Sequence, residues 1–411
     1  MPFPSGLRAL NHRDFRLFWS CQLVSLIGNW MQSVGQAWLV LELTDSPFRL
    51  GLIGTLQFGP VLLLSLPAGT LADRLPKRRL LLAAQTALMV QAFVLGLLAW
   101  FGHVQYWHVA VLATLYGLAN ALDMPTRQSF IVELVGKDDL LNAIALNSAS
   151  FNTARVVGPA VAGMLIARYG VPVSFLLNGA SFLSVLAALF AMRAEGRPHG
   201  RSGASVLQET LAGIRYALGT PRVRVVLALV LVVSLFMVNH SVLVPLLARE
   251  VLRAGAQGFG LLMAGLGTGA VAGALMVAMH GGSRPRLPIL IGSGMLMAVA
   301  LWSLSLIRFF WVAVVALSLV GFFQIVFMAH CNTTLQVMVP DRLRGRLMSV
   351  YAFVFVGVAP LSSLLVGSSA EFLGVPATFA LGGGLGLASI LALTLWARRT
   401  VAREGSTPSG A

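Results

Sequence analysis

Gly69-Thr70-Leu71-Ala72-Asp73-Arg74-Leu75-Pro76-Lys77-Arg78-Arg79 is a short, strongly basic turn set between two long apolar runs. Pro76 breaks helical continuity, while four cations within six residues mark a segment that stays in water. Gly69 is expected to let helices approach closely, and Asp73 supplies an acceptor amid the positive charge. The apolar runs on either side, 50 to 71 and 80 to 101, are each long enough to cross a hydrocarbon layer. A crossing takes about 20 mostly apolar residues.

Outward from this turn the same alternation repeats. Further cores fall at 18 to 41, 107 to 126, 143 to 167 and 171 to 192, then at 224 to 247, 257 to 279, 287 to 307, 309 to 331, 347 to 370 and 374 to 396. The reading is an all-α polytopic membrane protein with twelve transmembrane helices in two pseudo-symmetric six-helix halves. Composition agrees: of 411 residues 57% are hydrophobic and 10% are charged, against roughly 25% charged in a soluble domain. Such a chain could not cover a water-exposed surface.

Charge placement gives the orientation. Residues 1 to 16, the 74–79 turn, Arg127, Lys137, the 193–224 segment, Arg284, Arg286, Arg342, Arg344, Arg346 and the carboxyl-terminal Arg398, Arg399 and Arg403 place 23 basic residues on one face. Arg49, Arg168, Arg249, Arg253 and Arg308 place five on the other. By the positive-inside rule both termini are cytoplasmic. The formal charge of +15 therefore reads as topology rather than as a nucleic-acid surface. Cys21 and Cys331 match neither a metal-ligand spacing nor a disulfide framework, so no metal and no cofactor is expected.

The expected organisation is an amino-terminal six-helix bundle over 1–192, a cytoplasmic linker over 193–223, a carboxyl-terminal bundle over 224–397 and a tail over 398–411. Within the linker, Ser205 and Gln208 form a possible capping box ahead of Leu207, Leu211, Ile214 and Leu218 at helical spacing. A short helix against the membrane or the bundle is expected there.

Polar residues inside the spans require partners or water. Asn29, Gln32 and Gln36 share one face of span one, and Asn147, Asn152 and Arg155 one broad side of span five. An arginine within hydrocarbon costs about 2.5 to 3.5 kcal/mol, so Arg155 faces either a structural partner or a substrate or gating contact. Asn239 and His240 in span seven add a thinner lining; His240 is either a packed neutral ring or a group that titrates near neutrality. These eight residues are the candidate cavity lining. Asp123, one turn from Arg127, is either an interfacial salt bridge or a proton-coupling carboxylate. No nucleophile with an acid/base set is discernible, so enzymatic chemistry is not expected.

Two motifs carry a family resemblance. The 69–79 turn resembles the loop signature of the major facilitator superfamily, GxLaDrxGrk, through Gly69, Leu71, Ala72, Asp73, Arg74, Lys77 and Arg78, with Pro76 replacing the second glycine. Ala154 to Gly163 resembles that family's GxxxGPxxGG element through Gly158, Pro159 and Gly163, with Ala154 and Ala162 as small substitutes. Asn11 to Trp19, Asn29 to Gln32 and Asn142 to Ser148 are similar to its enterobactin-exporter-like branch, the transmembrane secretion effectors.

The resemblance implies a monomeric secondary exporter of the bacterial cytoplasmic (inner) membrane, moving a small amphiphilic or siderophore-like substrate by alternating access with proton antiport. Uptake of a metabolite, or a nontransporting scaffold or sensor, are the alternatives. Gly69, Asp73, Arg74, Lys77, Arg78, Gly158, Pro159 and Gly163 would form its gates, with Asp73 near the start of span eleven. The family arginine four residues before a glycine in span four is here Ala113, ahead of Gly117, which shifts attention to Asp123 and Arg155 as coupling residues.

Overall fold

The computed structural model describes residues 4–196, 214–280 and 287–404, and every regular element among them is helical. Short 3-10 turns over Ser5–Asn11 precede α1 (Arg13–Thr44), α2 (Pro47–Arg74), α3 (Lys77–Trp100), α4 (Tyr106–Val135), α5 (Leu140–Tyr169) and α6 (Pro172–Ala191). There follow α7 (Pro221–Phe236), α8 (His240–Leu246), a π-helical turn (Leu247–Val251), α9 (Gly255–His280), α10 (Leu287–Ser303), α11 (Phe310–Met338), α12 (Asp341–Gly357), α13 (Ala359–Leu373) and α14 (Val375–Glu404). Prolines open α2, α6 and α7, where the missing N–H costs nothing. Gly170 ends α5 at φ +81°, a conformation that side chains resist.

Eight described helical stretches are long and apolar enough to cross a bilayer, and α10 is a shorter apolar helix. The long helices α1, α4 and α5, of 32, 30 and 30 residues, fall outside that set. Their length suffices; the polar residues at positions 29, 32 and 36, 120, 123 and 127, and 147, 152 and 155 lower their apolarity. Six of the eight candidate cavity residues thus lie on α1 and α5, whereas Asn239 and His240 lie in the strongly apolar Pro221–Val251 stretch.

Chain tracing by contacts separates two units: Met1–Ser202 with Val244–Ala264, and Gly203–Leu243 with Gly265–Ala411. In the first, α2 packs on α4, α1 on α5 and α6, and α3 on α4 and α6. One end of it is an apolar cluster of Phe15, Phe18, Leu81, Phe130, Leu134, Val185 and Leu189, in which the Phe18 and Phe130 rings meet edge to face at 6.1 Å. The amino-terminal turns cross this end, with Ala9 N donating to Asn142 Oδ1 (2.9 Å), Asn142 Nδ2 to Gly6 O (2.6 Å), and His12 meeting Asp139 at 2.9 Å. At the other end, residues 244–264 pack on the same unit. Asp45 pairs with Arg249 at 2.9 Å, Trp38 stacks on Phe259 at 6.2 Å, and Gly163 and Gly260 approach so closely that a Cβ on Gly260 would lie 2.4 Å from Pro159 O.

In the second unit, α10 packs on α11 and α14, and α7 on α12, α13 and α14. Small residues set the closest approach between α9 and α11: a Cβ on Gly269 would lie 1.8 Å from Ser318 O, and one on Gly321 2.0 Å from Leu266 O. Backbone contact of this kind replaces the hydrophobic drive that lipid removes.

Two expectations change. A Cβ on Gly69 would meet nothing within 4 Å, so among the described residues this glycine mediates no close helix approach. The helix expected between Ser205 and Leu218 is described only over 214–219, which is helical; its earlier part lies outside the described residues.

Gly269→Ala is expected to destabilise the purified protein by about 1 to 3 kcal/mol, because the added methyl has no space. Gly292→Ala, whose Cβ would meet nothing within 4 Å inside α10, is expected to be neutral or slightly stabilising. Thermal unfolding of both variants in one detergent reads the contrast.

Candidate transport site

The polar stripe of α1 is read first by where its amides go. Gln32 is 3% exposed; its Nε2 donates to Gln91 Oε1 on α3 (2.9 Å), and its Oε1 accepts from Asn178 Nδ2 on α6 (2.7 Å). Asn178 Nδ2 also reaches Asn29 Oδ1 (3.2 Å), and Ser181 Oγ donates to Asn178 Oδ1 (3.1 Å). Gly28 makes this crossing possible, since a Cβ there would lie 2.5 Å from Asn178 Oδ1. Asn29 and Gln32 are thereby joined to a network inside the first unit rather than left unpartnered. Gln36 donates through Nε2 to Gln57 Oε1 on α2 (2.8 Å). Gln91, Asn178 and Gln57 did not stand out in the sequence; the available signal was one amide in each of two apolar runs and the pair Gln85 and Gln91 in a third.

Asp123 is 2% exposed and both its oxygens are engaged: Gln85 Nε2 donates to Oδ1 (2.7 Å), and Arg127 lies 3.4 Å from Oδ2. The pairing with Arg127 follows from their separation by one turn. Gln85, on α3, completes the shell and would not be found from α4 alone.

Lys77 and Arg78, from the basic turn, are drawn inward. Lys77 is wholly buried and pairs with Glu133 at 2.5 Å, while its N–H donates to Gly196 O (3.4 Å). Arg78 donates through its N–H to Glu195 O (3.1 Å) and through Nη2 to Phe190 O (2.9 Å). Asp14 Oδ2 accepts from the N–H groups of Arg193 and Ala194 at 3.0 and 2.9 Å. The segment leaving α6 is therefore bound to the amino-terminal ends of α1 and α3. Arg74 is exposed, and Asp73 occupies the last turn of α2, its side chain outside the described residues.

On α5, Gly158 seats against α1, where a Cβ would lie 2.5 Å from Trp30 Cβ. The helix runs unbroken through Pro159. Asn152 donates to Ser148 O on its own helix (2.8 Å), and Asn147 is half-buried. Arg155, also half-buried, has no hydrogen-bond or ion-pair partner among the described residues.

In the second unit Asn239 and His240 sit at an interruption. Helix α7 ends at Phe236 and α8 begins at His240, within one continuous apolar span, Pro221–Val251. Ser362 Oγ donates to Leu235 O (2.7 Å), a carbonyl near the break. Asn239 Nδ2 donates to Ser363 Oγ (3.1 Å), and His240 Nε2 lies 3.2 Å from Gln324 Oε1. Ser362 and Ser363 belong to α13, which itself starts after an interruption at Val358. Two discontinuous helices are thus braced against each other by side chains, which is how irregular backbone survives at membrane depth. These serines were legible only as the residues following Pro360.

An all-helical membrane chain with buried amide networks and interrupted spans has the architecture of a secondary transporter. Solved structures share it: a POT family transporter in complex with a thioalcohol-conjugated peptide superposes with a TM-score of 0.74 over 94% of this chain and 96% of its own, at 12% identity. A bacterial homologue of the human lysosomal transporter Spinster, in an inward-facing and unoccupied conformation, gives 0.66 over 94% and 95%, at 15% identity. The transmembrane secretion effector family matches residues 4–410, and the chain belongs to it. That places it among transporters of the major facilitator superfamily, in the siderophore and efflux exporter branch, and not among enzymes.

Curated relatives span nearly the same length. The staphyloferrin A transporter of Staphylococcus aureus is 25% identical over 378 residues, 90% of this chain and 92% of its own. The multidrug efflux pump Tap of Mycolicibacterium fortuitum is 28% identical over 363 residues, 86% and 88%. The enterobactin exporter EntS of Salmonella typhi is 26% identical over 401 residues, 97% and 95%.

Asn178→Leu is expected to cost about 1 to 3 kcal/mol of stability, because it strands the Gln32 and Asn29 acceptors inside the bundle. The melting temperature of purified protein falls accordingly, whereas Val157→Leu, at an exposed position outside the amide network, leaves it within error.

Proposed function

We propose that this chain is a secondary exporter of a small amphiphilic or siderophore-like molecule, working by alternating access and driven by proton antiport. The observation that carries the reading is the match of nearly the whole chain, residues 4–410, to the secretion effector family, whose relatives include an enterobactin exporter and a multidrug efflux pump. The reading takes twelve spans in two six-helix halves, 1–192 and 224–397, joined by the 193–223 linker and followed by the 398–411 tail. Both termini face the cytoplasm of a bacterial inner membrane, and a single copy suffices.

In this mechanism the cavity is served by Asn29, Gln32, Gln36, Asn147, Asn152, Arg155, Asn239 and His240. The first three act through the amide network, so they set the shape of the bundle that presents the cavity. Gly69, Asp73, Arg74, Lys77 and Arg78 serve the inner gate, and Gly158, Pro159 and Gly163 the outer one. Substrate moves only if it binds the inward-open and outward-open states unequally.

The proton site is assigned to Asp123. It is a buried carboxylate with a cation, Arg127, 3.4 Å away and an amide donor, Gln85, at 2.7 Å. Protonation would release Arg127 and loosen the α3–α4 contact, giving a route from proton binding to helix movement.

Everted vesicles energised to an acid interior are expected to accumulate siderophore-type or cationic-drug probes in a chain-dependent manner. Accumulation only under the opposite gradient would make the chain an uptake permease. Asp123→Asn is expected to abolish the response to the pH gradient while leaving substrate counterflow; retained pH-driven export would remove Asp123 as the coupling site.

A further inference from the structure

Arg155 is the one charged residue among the candidate cavity residues, and the described residues leave it without a partner. It sits at the midpoint of the thirty-residue α5. At 1.5 Å rise per residue it lies roughly 22 Å from either helix end, beyond the reach of lipid phosphates at the edges of a roughly 30 Å hydrocarbon layer. Asp123, the other charge deep within α4, has Arg127 and Gln85; Arg155 has neither acceptor nor ion-pair partner among the described residues.

The direction Arg155 faces follows from its helix. Arg155, Pro159 and Gly163 are four residues apart and form one stripe, whose outer part is identified by contact: Gly163 and Pro159 O touch Gly260 of α9. Asn152 and Ser148 continue the stripe inward from Arg155 at spacings of three and four. A separate, apolar face is exposed through Val157 and Met164, seven residues apart. Phe151, one turn before Arg155, and Ile144, three turns before it, are exposed on Arg155's own side as well, so the cation lies among accessible apolar groups there. Along its own stripe it is closed outward by the glycine contact and continues inward through half-buried Asn152 to exposed Ser148.

Acceptors lie beside the cation. Pro159 has no N–H, so the carbonyl of Arg155 lacks its helical donor. Asn152 uses its Nδ2 on Ser148 O, which leaves its Oδ1 free among the described residues. The locus thus offers a guanidinium fork with nearby oxygens, a combination suited to a planar anion that carries a neighbouring hydroxyl or amide.

We infer that Arg155 is the docking group for a carboxylate on the transported molecule, which makes the substrate an organic acid with an amphiphilic body. The inference rests on the exporter reading for how the acid reaches mid-membrane, and it narrows the substrate class within that reading. It also accounts for the retention of a costly charge: the cation is complete only when cargo is bound, so cargo binding is worth more here than in water.

The test uses the full chain in nanodiscs and in proteoliposomes, with 2-naphthoxyacetate and its primary amide as matched probes. Wild type is expected to bind the acid more tightly than the amide. Arg155→Gln is expected to weaken acid binding about tenfold or more, leave the amide within about twofold, and melt no lower than wild type, since no internal bond is lost; Arg155→Lys retains part of the preference. Equal weakening of acid and amide, absence of an acid preference in wild type, or a melting loss in Arg155→Gln that Arg155→Lys restores would each overturn the assignment and make the arginine structural. Arg155-dependent acid binding without movement of either probe in proteoliposomes sinks the exporter reading and leaves the Arg155 assignment standing. Transport of the amide in preference to the acid overturns the assignment and leaves export intact.

Discussion

A polar atom placed within hydrocarbon must find its partner inside the protein, and the first unit is arranged around that requirement. Gln32, Gln91, Asn178 and Asn29 answer one another across three helices at 2.7 to 3.2 Å. None of them could be replaced singly by an apolar residue without stranding a donor or acceptor. Because the network links α1 with α3 and α6, it also fixes which faces of those helices remain available elsewhere. The same rule governs Asp123, held between Arg127 and Gln85, and the interrupted helices α7 and α13, where Ser362 occupies the Leu235 carbonyl near the break and Asn239 donates to Ser363 across the two helices.

Satisfaction is achieved by two different means at the two ends of this unit. The end at the amino-terminal turns adds polar straps to its apolar cluster: Asp14, Lys77 and Arg78 hold the segment that leaves α6, and Asp139 and Asn142 hold the amino-terminal turns. The opposite end is close-packed, with Gly163 against Gly260 and the ion pair of Asp45 with Arg249. Buried charge pairs are directional and lose much when one partner leaves, whereas glycine contacts depend on backbone proximity and separate without stranding a charge.

How much of this was legible in the chain depends on whether the determinant is local. Helix existence, the basic turn and the polar stripes are local, and Asn29, Gln32 and Gln36 were found from spacing alone. Their partners were not, because Asn178 is a single amide in its apolar run, and Gln91 lies six residues from Gln85, a spacing that puts the two on different sides of the helix. Lys77 shows the converse limit. In sequence it is one more positive-inside cation, yet Glu133 and Gly196 enclose it completely, through contacts between residues 56 and 119 positions apart. Likewise the runs around His12 and Asn142 carry the family resemblance separately, while only the fold shows that they are bonded to each other.

Arg155 stands apart from every one of these solutions, and the contrast gives it meaning. The surrounding helices pair a buried carboxylate, a buried lysine and several amides at hydrogen-bond distances, although buried Gln22 on α1 has no partner for either amide atom among the described residues. Arg155 differs from Gln22 in being half-buried rather than enclosed. On α5 the residues that must be tight, Ala154 and Gly158, are fully buried, while Arg155 and Asn152 on the adjoining stripe are left accessible. The helix therefore divides its labour by face, with small residues fixing its position and polar residues held in reserve. A group kept charged and unanswered at mid-membrane lowers the stability of the empty protein. That cost is recovered only by a partner that arrives and leaves, which is the property required of a transported molecule.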